Sequence, residues 1–288
     1  MRFREAVISR ASNFGPWPIR CASGALFESA KRCALVLILA LAGISCAEAR
    51  TIRVMSYNIH VGIGMDKKLD LARIAAVIKR ERADIVGLQE VDRGVERTGR
   101  VDQIAELARL TGMDYAFAPN LRYQGGWYGV AILSRFPITS FEHRRYRNLR
   151  EAERRGFICA EISIGNDRLR FITTHLDYQF ADGRLFEAGQ LLDALAHVTG
   201  PLILTGDFNE GPDGETYRLV TSRLTDAWMS SGASSAGSTF PADRPAKRID
   251  YIFYSGLVGR PLRARRAWVS ETLASDHRPL VVEFELGN

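Results

Sequence analysis

Hydrophobic residues recur along the chain with two spacings, and each spacing predicts a type of secondary structure. Residues 52–58 alternate between apolar and polar side chains, while several other short runs are almost wholly apolar. Both patterns are typical of β-strands, half-buried in the first case and fully buried in the second. The predicted strands are residues 52–58, 85–90, 169–173, 201–205, 248–253 and 279–284.

Three other segments carry apolar residues three and four positions apart, which predicts amphipathic helices. Asp70 precedes the first segment as a suitable N-cap, and Gly112 follows the second at a point where glycine commonly ends a helix. The apolar stripes are residues 71, 74, 75 and 78, then 104, 107, 108 and 111, then 185, 189, 192 and 195–196. Helices and strands alternate early and strands cluster later, so the pattern alone predicts an α/β or α+β fold.

Two segments have the composition of connections. Residues 230–244 are rich in Ser, Gly, Ala and Pro, which predicts a loop. Residues 123–129 combine three glycines with aromatic residues and leave two interpretations open. As a mobile loop, the segment would stack its rings, Tyr128 among them, on a base, sugar or lipid headgroup. As a β-hairpin connection, it would fold the same rings onto the sheet.

Side chains of the kinds used in catalysis and metal binding lie where the predicted strands begin or end. Residues 206–209 (Gly-Asp-Phe-Asn) follow one apolar strand, and residues 275–279 (Ser-Asp-His-Arg-Pro) precede another. A single Asp–His pair is a common structural feature, but two such clusters with further polar residues at other strand ends indicate a functional site. The candidate site residues are Asn58, Glu90, His175, Asp207, Asn209, Asp250, Asp276 and His277.

These residue types suit the hydrolysis of a phosphate ester. That reaction needs charge neutralisation, an activated water and help for the leaving oxygen. The carboxylates and amides are hard oxygen donors that suit Mg²⁺ or Mn²⁺, whereas the sequence has no Cys pair and no His-x₃-His spacing to indicate zinc. His277 is a natural base because the ordinary pKa of histidine lies near neutral pH.

Taken in order, the candidate residues resemble those of the endonuclease/exonuclease/phosphatase superfamily. That superfamily includes deoxyribonuclease I-like nucleases, abasic-site endonucleases, sphingomyelinases and inositol-phosphate phosphatases. The resemblance extends from Thr51 to Phe284. It implies a four-layered α-β-β-α sandwich of two mixed sheets with outer helices, and a single domain of this family over residues 50–288.

The resemblance also implies a role for each candidate residue. Asp250 would hold the His277 ring, and Asp207 would orient or deprotonate the attacking water. Asn209 would hold a phosphate oxygen, and His175 would contact the scissile phosphate. The implied metal ligands are Asn58, Glu90 and Asp276.

Three further residues, Tyr128, Arg155 and His60, are candidates for contact with the substrate. Arg155 belongs to residues 153–156 (Glu-Arg-Arg-Gly), which resemble a family segment near the mouth of the active site, where arginine would meet an anion. His60 stands two residues after Asn58, where abasic-site endonucleases usually carry an aspartate. This departure argues against a dedicated role in DNA repair.

Residues 1–49 form an N-terminal extension with the features of an export signal. Lys31 and Arg32 precede twelve uncharged residues at 33–44, and residues 47–49 (Ala-Glu-Ala) supply a small-x-small cleavage site. The apolar run is short beside the about 20 residues of a spanning helix. We therefore predict a signal peptide cleaved after Ala49 and a periplasmic or secreted protein, with an uncleaved membrane anchor as the alternative.

Removal of the extension changes the composition in two ways. Cys159 becomes the only cysteine, so the exported domain would contain no disulfide, and we interpret Cys159 as a small buried hydrophobe. The extension carries six basic and three acidic residues, so the net charge falls from +6 to +3. A charge of this size does not by itself indicate a nucleic-acid partner.

The sequence therefore predicts a metal-dependent phosphoesterase that attacks a phosphodiester or phosphomonoester with an activated water. Nucleic acid, a phospholipid or glycolipid headgroup and a small phosphate ester all stay open as substrates. One alternative is a membrane-associated lipid phosphodiesterase or GPI-type remodelling factor. Another is an inactive binding module on the same fold, although no residue that the chemistry needs is lost. We expect a monomer without an obligate protein partner.

Overall fold

Two mixed β-sheets form the centre of the part of the chain that the computed structural model describes, residues 50–256 and 262–287. The first sheet has the strand order β11-β12-β1-β2-β4-β3, and the second has the order β5-β6-β7-β8-β10-β9. The strands of the first sheet are β1 Arg50–Asn58, β2 Ile85–Arg93, β3 Asp114–Tyr123, β4 Gly126–Ser134, β11 Leu262–Val269 and β12 Leu280–Leu286. Those of the second are β5 Ile138–Arg145, β6 Gly156–Ile164, β7 Asp167–His175, β8 Leu202–Asp207, β9 Thr225–Asp226 and β10 Asp250–Ser255.

Each sheet contains one parallel pair, β1 with β2 and β7 with β8, and its other neighbours run antiparallel. The described helices are α1 Leu71–Glu81, α2 Gln103–Thr111, α3 Ala181–Leu195, α4 Glu215–Thr221 and α5 Ala227–Ser230, with 3₁₀ turns at His60–Gly62 and Glu96–Thr98. Both sheets and their flanking helices match the predicted fold class, which is thereby confirmed.

Three groups of buried side chains hold these layers together. Val54 and Phe171 belong to the group that unites residues of both sheets. Ile74 belongs to a second group, which joins α1 and α2 to the first sheet. Leu191 belongs to a third, which joins α3 and α4 to the second sheet. The apolar stripes predicted for the helices therefore serve as ordinary packing faces.

The helix signals in the sequence correspond to capping interactions in the structure. Asp70 caps α1 by accepting a hydrogen bond from the backbone of Arg73 at 3.1 Å. Gly112 ends α2 in the left-handed conformation with φ 71°. The third helix begins at Ala181, four residues before the first residue of the predicted stripe, and it ends at Leu195.

The predicted end of the second strand at Glu90 is wrong. β2 continues to Arg93, and its pairing with β4 shifts register between Leu88 and Val91. Glu90 lies within this bulge in the left-handed conformation, with φ 58°. The extra residue redirects the chain locally, so Glu90 projects from a bulge and not from a strand end.

The aromatic and glycine-rich segment is a hairpin connection. β3 and β4 are neighbours, and the two residues between them, Gln124 and Gly125, both adopt positive φ angles. Tyr128 is buried on β4. The segment therefore has the predicted hairpin geometry and buries the Tyr128 ring, whereas the Tyr123 ring stays exposed.

The two sheets approach each other closely at Gly87 on β2. A Cβ atom built there would lie 2.0 Å from Thr205 Oγ1 and 2.7 Å from Thr173 Oγ1, both on the opposite sheet. Only glycine fits at this separation without displacing its neighbours.

The predicted signal peptide or anchor at residues 1–49 lies outside the described residues, and the boundary at residue 50 stays a prediction. Among the described helices, every one is too short or too polar to cross a lipid bilayer. Cys159 is buried on β6, as expected for a small apolar residue.

Candidate active site

One end of the second sheet supplies three candidate residues from neighbouring strands. His175 ends β7, Asp207 ends the parallel strand β8, and Asp250 begins the antiparallel strand β10. The pairing registers place His175 opposite Asp207 and Asp207 opposite Asp250. Because residues in register across a sheet share one face, the three side chains lie side by side.

The first sheet contributes Asn58 and Glu90, and a side-chain amide connects them to the second sheet. Asn58 ends β1, and its Nδ2 donates to Glu90 Oε1 at 3.1 Å and to Asp207 Oδ2 at 3.0 Å. The site therefore spans the ends of both sheets, with Asn58 bridging two carboxylates.

The turn before β12 carries Asp276 and His277 into the same region. Ser275 fixes this turn, because its hydroxyl donates to the backbone carbonyl of Asn58 at 2.8 Å and accepts from the backbone N–H of His277 at 3.2 Å. His60 lies beside Asp276, with 3.7 Å between its Nδ1 and Asp276 Oδ1. A Ser-Asp-His sequence thus supplies both an anchor and two functional groups.

His277 is held between two carboxylates. Its Nδ1 lies 2.8 Å from Asp250 Oδ2, and its Nε2 lies 3.6 Å from Asp207 Oδ2. Burial would lower the pKa of His277, but the charges of Asp250 and Asp207 outweigh burial and raise it. Burial and the charge of Asp250 in turn raise the pKa of Asp207 above its ordinary value. Asp207, His277 and Asp250 therefore form one group of neighbouring titratable side chains, in which the pKa values of Asp207 and His277 are shifted.

Thr239 and Phe240 complete the surroundings of His277. The hydroxyl of Thr239 donates to Asp250 Oδ2, and the Phe240 ring lies against the His277 imidazole with 4.8 Å between centroids. Both residues fall in the segment predicted only as a loop, whose composition gave no sign of a role in the site.

His175 has a different environment. The Arg155 guanidinium lies against one side of its ring, with 2.7 Å between Arg155 Nη1 and His175 Nδ1. On the other side, His175 Nε2 lies 3.0 Å from Asn209 Nδ2 and 3.5 Å from Asp207 Oδ2. Burial lowers the pKa of His175, and the neighbouring cations Arg155 and His277 lower it further. The two histidines therefore differ in the direction of their pKa shifts.

Three residues around the site adopt the left-handed backbone conformation, which is unfavourable for residues other than glycine. Glu90, Asn209 and His60 have φ angles of 58°, 52° and 45°. Asn209 is held in this conformation by a hydrogen bond from its backbone N–H to Asp207 Oδ1 at 2.9 Å. Strained residues of this kind concentrate at functional sites.

These groups surround a cleft of about 440 Å³. Aromatic rings, two arginines and several acids line it. The lining residues are Glu90, Arg97, Leu121, Tyr123, Tyr128, Glu153, Arg155, His175, Tyr178, Asp207, Asn209, Phe240, Asp276 and His277. A cavity of about 410 Å³ beside Arg168 and Leu286 contains none of the candidate residues, so the first cleft is the candidate active site.

The three predicted substrate contacts differ in position. Arg155 and Tyr128 both line the cleft, although each is buried, at 3 % and 8 % exposed surface. His60 is not among the lining residues; its Nδ1 lies 3.1 Å from the backbone carbonyl of Ile63. Tyr123, which belongs to the segment 123–129 left open as a stacking loop, also lines the cleft, and so do Arg97 and Tyr178, which were not predicted. The sequence neighbourhood of Arg97 and Tyr178 carries no signal that distinguishes them from surface residues.

The acids of the cleft suit a divalent cation. Glu90, Asp207 and Asp276 face the same space and offer the hard oxygen donors that Mg²⁺ and Mn²⁺ prefer. Asn58 fits this role less well, because its Oδ1 accepts from the backbone N–H of His60 at 3.0 Å while its Nδ2 faces carboxylates. In this arrangement Glu90 and Asp276 fit as ligands, and Asn58 positions Glu90.

A second set of potential ligands is formed by Asp207, Asp250 and His277, whose donor atoms lie within 4.8 Å of one another. The 2.8 Å contact between His277 Nδ1 and Asp250 already occupies one donor of this set. A metal ion bound at His277 Nδ1 would have to displace the proton that lies between this nitrogen and Asp250. We therefore favour a proton-transfer group at this position over a metal site.

A cleft of carboxylates and histidines at the strand ends of two sheets has the groups that hydrolysis of a phosphate ester needs. The chain belongs to the endonuclease/exonuclease/phosphatase family, whose model matches residues 55–277. Members of this family hydrolyse phosphoester bonds. The resemblance inferred from the sequence is thereby confirmed.

Individual relatives are similar to this chain over most of its length. The uncharacterized protein YbhP of Escherichia coli strain K12 is 27 % identical over 251 residues, which cover 81 % of this chain and 96 % of YbhP. A family member from Beutenbergia cavernae has a solved structure with a TM-score of 0.69 and 25 % identity, covering 83 % of this chain and 72 % of that one. The human Nocturnin catalytic domain, solved with a bound sulfate anion, gives a TM-score of 0.64 and 25 % identity, covering 82 % and 93 %.

Proposed function

We propose that this protein is a divalent-metal-dependent phosphoesterase that hydrolyses its substrate by direct attack of water. The observation that carries this proposal is the convergence of two kinds of group in one cleft. Glu90 and Asp276 provide hard oxygen ligands, while the Asp207–His277–Asp250 group provides exchangeable protons. Phosphoester hydrolysis needs both, because charge must be neutralised and protons must move.

In the proposed reaction, an oxygen of water forms a new bond to phosphorus and the ester oxygen leaves. Asp207 orients the water and takes one of its protons. His277, oriented by Asp250 through Nδ1, presents Nε2 towards Asp207 and the cleft. His175 and Asn209 face the same space and hold phosphate oxygens. A divalent cation bound by Glu90 and Asp276 would supply charge neutralisation for the phosphate.

The substrate is a phosphodiester or phosphomonoester from one of three classes: nucleic acid, a phospholipid or glycolipid headgroup, or a small phosphate ester. Exposed aromatic rings at the cleft, Tyr123 and Tyr178, are compatible with a base, a sugar or a headgroup.

The test is a screen of the purified full chain with Mg²⁺ or Mn²⁺ against plasmid DNA, sphingomyelin, phosphatidylinositol, p-nitrophenyl phosphate and bis-p-nitrophenyl phosphate. We expect hydrolysis of at least one class, loss of the activity in EDTA and recovery when the metal is added back. His277→Ala serves as the matched inactive enzyme.

Hydrolysis that continues in EDTA would refute the metal dependence but leave the phosphoesterase activity standing. Binding of these substrates without hydrolysis under any metal condition would instead favour the inactive binding module. Hydrolysis confined to lipids in vesicles would identify the lipid phosphodiesterase alternative.

We further propose that residues 1–49 direct export to the periplasm or medium and are removed after Ala49, giving a mature protein that begins at Arg50. The apolar run at 33–44 followed by residues 47–49 supports this. N-terminal sequencing of the exported protein tests it. A mature species that retains residues 33–44 would establish the membrane anchor in its place.

A further inference from the structure

The partner of His175 is a cation, which is unusual for a histidine in a hydrolytic site. Arg155 immediately precedes β6, whose first residue, Gly156, is in register with His175 at the end of β7. Its side chain is 3 % exposed, and its Nη1 approaches His175 Nδ1 to 2.7 Å. This is a short, buried hydrogen bond with a charged donor.

The chemistry of the two groups fixes the position of the ring proton. A guanidinium has only N–H donors and stays protonated in proteins. His175 Nδ1 must therefore be the acceptor and carry no hydrogen. A neutral imidazole has one N–H, so the hydrogen of His175 lies on Nε2.

That Nε2–H is directed to the reacting end of the cleft. His175 Nε2 lies 3.0 Å from Asn209 Nδ2. Asn209 Nδ2 also donates to the backbone carbonyl of Leu176 at 3.0 Å. Since both nitrogens carry hydrogens, neither satisfies the other. Two N–H donors therefore converge beside Asp207, and an oxygen of an anion would accept from both.

We propose that Arg155 is a positioning residue that holds His175 as the Nε2–H tautomer, so that His175 acts as a hydrogen-bond donor to a phosphoryl oxygen and not as a base. This inference rests on the proposed phosphoesterase function. It assigns the two histidines separate tasks: His277 exchanges protons with Asp207, and His175 stabilises charge on the phosphate.

The surroundings of Arg155 fit a fixed support better than a direct ligand of the substrate. Glu153 Oε1 lies 3.2 Å from Arg155 Nη1 and balances its charge. The Tyr178 ring lies over the guanidinium, 5.9 Å from its carbon to the ring centroid. These contacts and the low exposure hold the guanidinium at the wall of the cleft, where its short contact is with the imidazole.

The tautomer can be observed directly in the full-length protein by long-range ¹H–¹⁵N correlation NMR of the histidine rings. The chain has five histidines, and the His175 signals are assigned by their loss in His175→Gln. We expect His175 to have a protonated Nε2 and an unprotonated Nδ1. Inorganic phosphate, added as the probe, should shift the Nε2–H signal.

Variants at position 155 separate positioning from binding. Arg155→Met removes the donor, and we expect a mixture of tautomers and a fall in kcat on the order of 10²-fold, the usual loss for one donor to a developing anion, with KM changed little. Arg155→Lys keeps a donor-only cation and should restore the Nε2–H tautomer and part of kcat. Arg154→Met alters the neighbouring exposed arginine and should leave both readouts unchanged.

The proposal is overturned if wild-type His175 carries its hydrogen on Nδ1 or on both nitrogens, a result that needs no folded variant. It is also overturned if Arg155→Met keeps the Nε2–H tautomer, or raises KM with kcat unchanged, since Arg155 would then bind the substrate itself. Absence of hydrolysis by the wild type would refute the proposed function, whereas the NMR spectrum would still decide the tautomer.

Discussion

Glu187 allows the energetic cost of a buried carboxyl group in this domain to be measured. It lies on α3 with 3 % of its surface exposed, and its Oε2 accepts a hydrogen bond from the backbone N–H of Asp177 at 2.7 Å. Burial raises the pKa of Glu187 from 4.5 to about 7. The folded state therefore holds this proton more tightly than the unfolded state does.

The direction of the pH dependence follows from that difference. Below pH 4.5 Glu187 is protonated in both the folded and the unfolded state and does not reduce the free energy of unfolding. As the pH rises from 4.5 through about 7, the unfolded state loses this proton more readily, so the domain loses stability. The shift corresponds to about 3 kcal/mol at about 1.4 kcal/mol per pKa unit. Glu187→Gln removes this cost, because glutamine stays neutral and its carbonyl oxygen can still accept from Asp177.

Thermal unfolding of the full chain, followed by circular dichroism between pH 5 and pH 8, measures the effect. We expect Glu187→Gln to melt roughly 6–12 °C above the wild type at pH 8 and to lose most of this advantage at pH 5. Asp193→Asn, at an exposed acid on the same helix, is the matched control and should show no such trend. A difference in Tm between Glu187→Gln and the wild type that stays constant across this range would refute the reasoning.

Three other predictions concern the site and its support. His277→Ala and Asp250→Asn should each lower kcat on the order of 10²–10⁴-fold, and the double variant should lose little more; normal turnover per folded molecule would make the pair merely structural. Glu90→Gln should raise the Mg²⁺ concentration needed for half-maximal activity without lowering Tm, and an unchanged metal titration would contradict its role as a ligand. Gly87→Ala should destabilise the domain by about 1–3 kcal/mol in denaturant unfolding, because a Cβ would meet the opposite sheet, whereas Gly189→Ala on α3, with open space around it, should be neutral or stabilising.

Local chemistry made much of the fold predictable. Asp70 predicts a helix start because its side chain caps the first turn, and Gly112 predicts a helix end because glycine readily adopts the left-handed conformation there. The strands that carry Asn58, Asp207 and Asp250 were predicted because their hydrophobic runs are long and bounded by polar residues. Which strands are neighbours was not derivable from these runs, and the family resemblance implied only two mixed sheets with outer helices; the strand order came from the structure.

The rest of the site depends on contacts between residues far apart in the chain. The bulge at Glu90 inserts one residue into a pairing with β4, and periodicity within β2 alone does not show it. Arg155 was singled out by the family resemblance of residues 153–156, but its burial against His175 depends on packing that the sequence does not show. Thr239 and Phe240 lie beside Asp250 and His277 because of the path that their loop follows, and amino-acid composition does not determine that path.

The left-handed conformations of Glu90, Asn209 and His60 have a consequence for attempts to make this domain more robust. Each such residue costs on the order of 1 kcal/mol that glycine would not cost in the same conformation. Engineering that selects for heat resistance alone should therefore accept glycine at these positions, and at Glu90 and Asn209 it would remove a proposed functional group together with the strain. Heat tolerance and turnover need to be screened together in this protein, because at Glu90 and Asn209 the two requirements favour different residues.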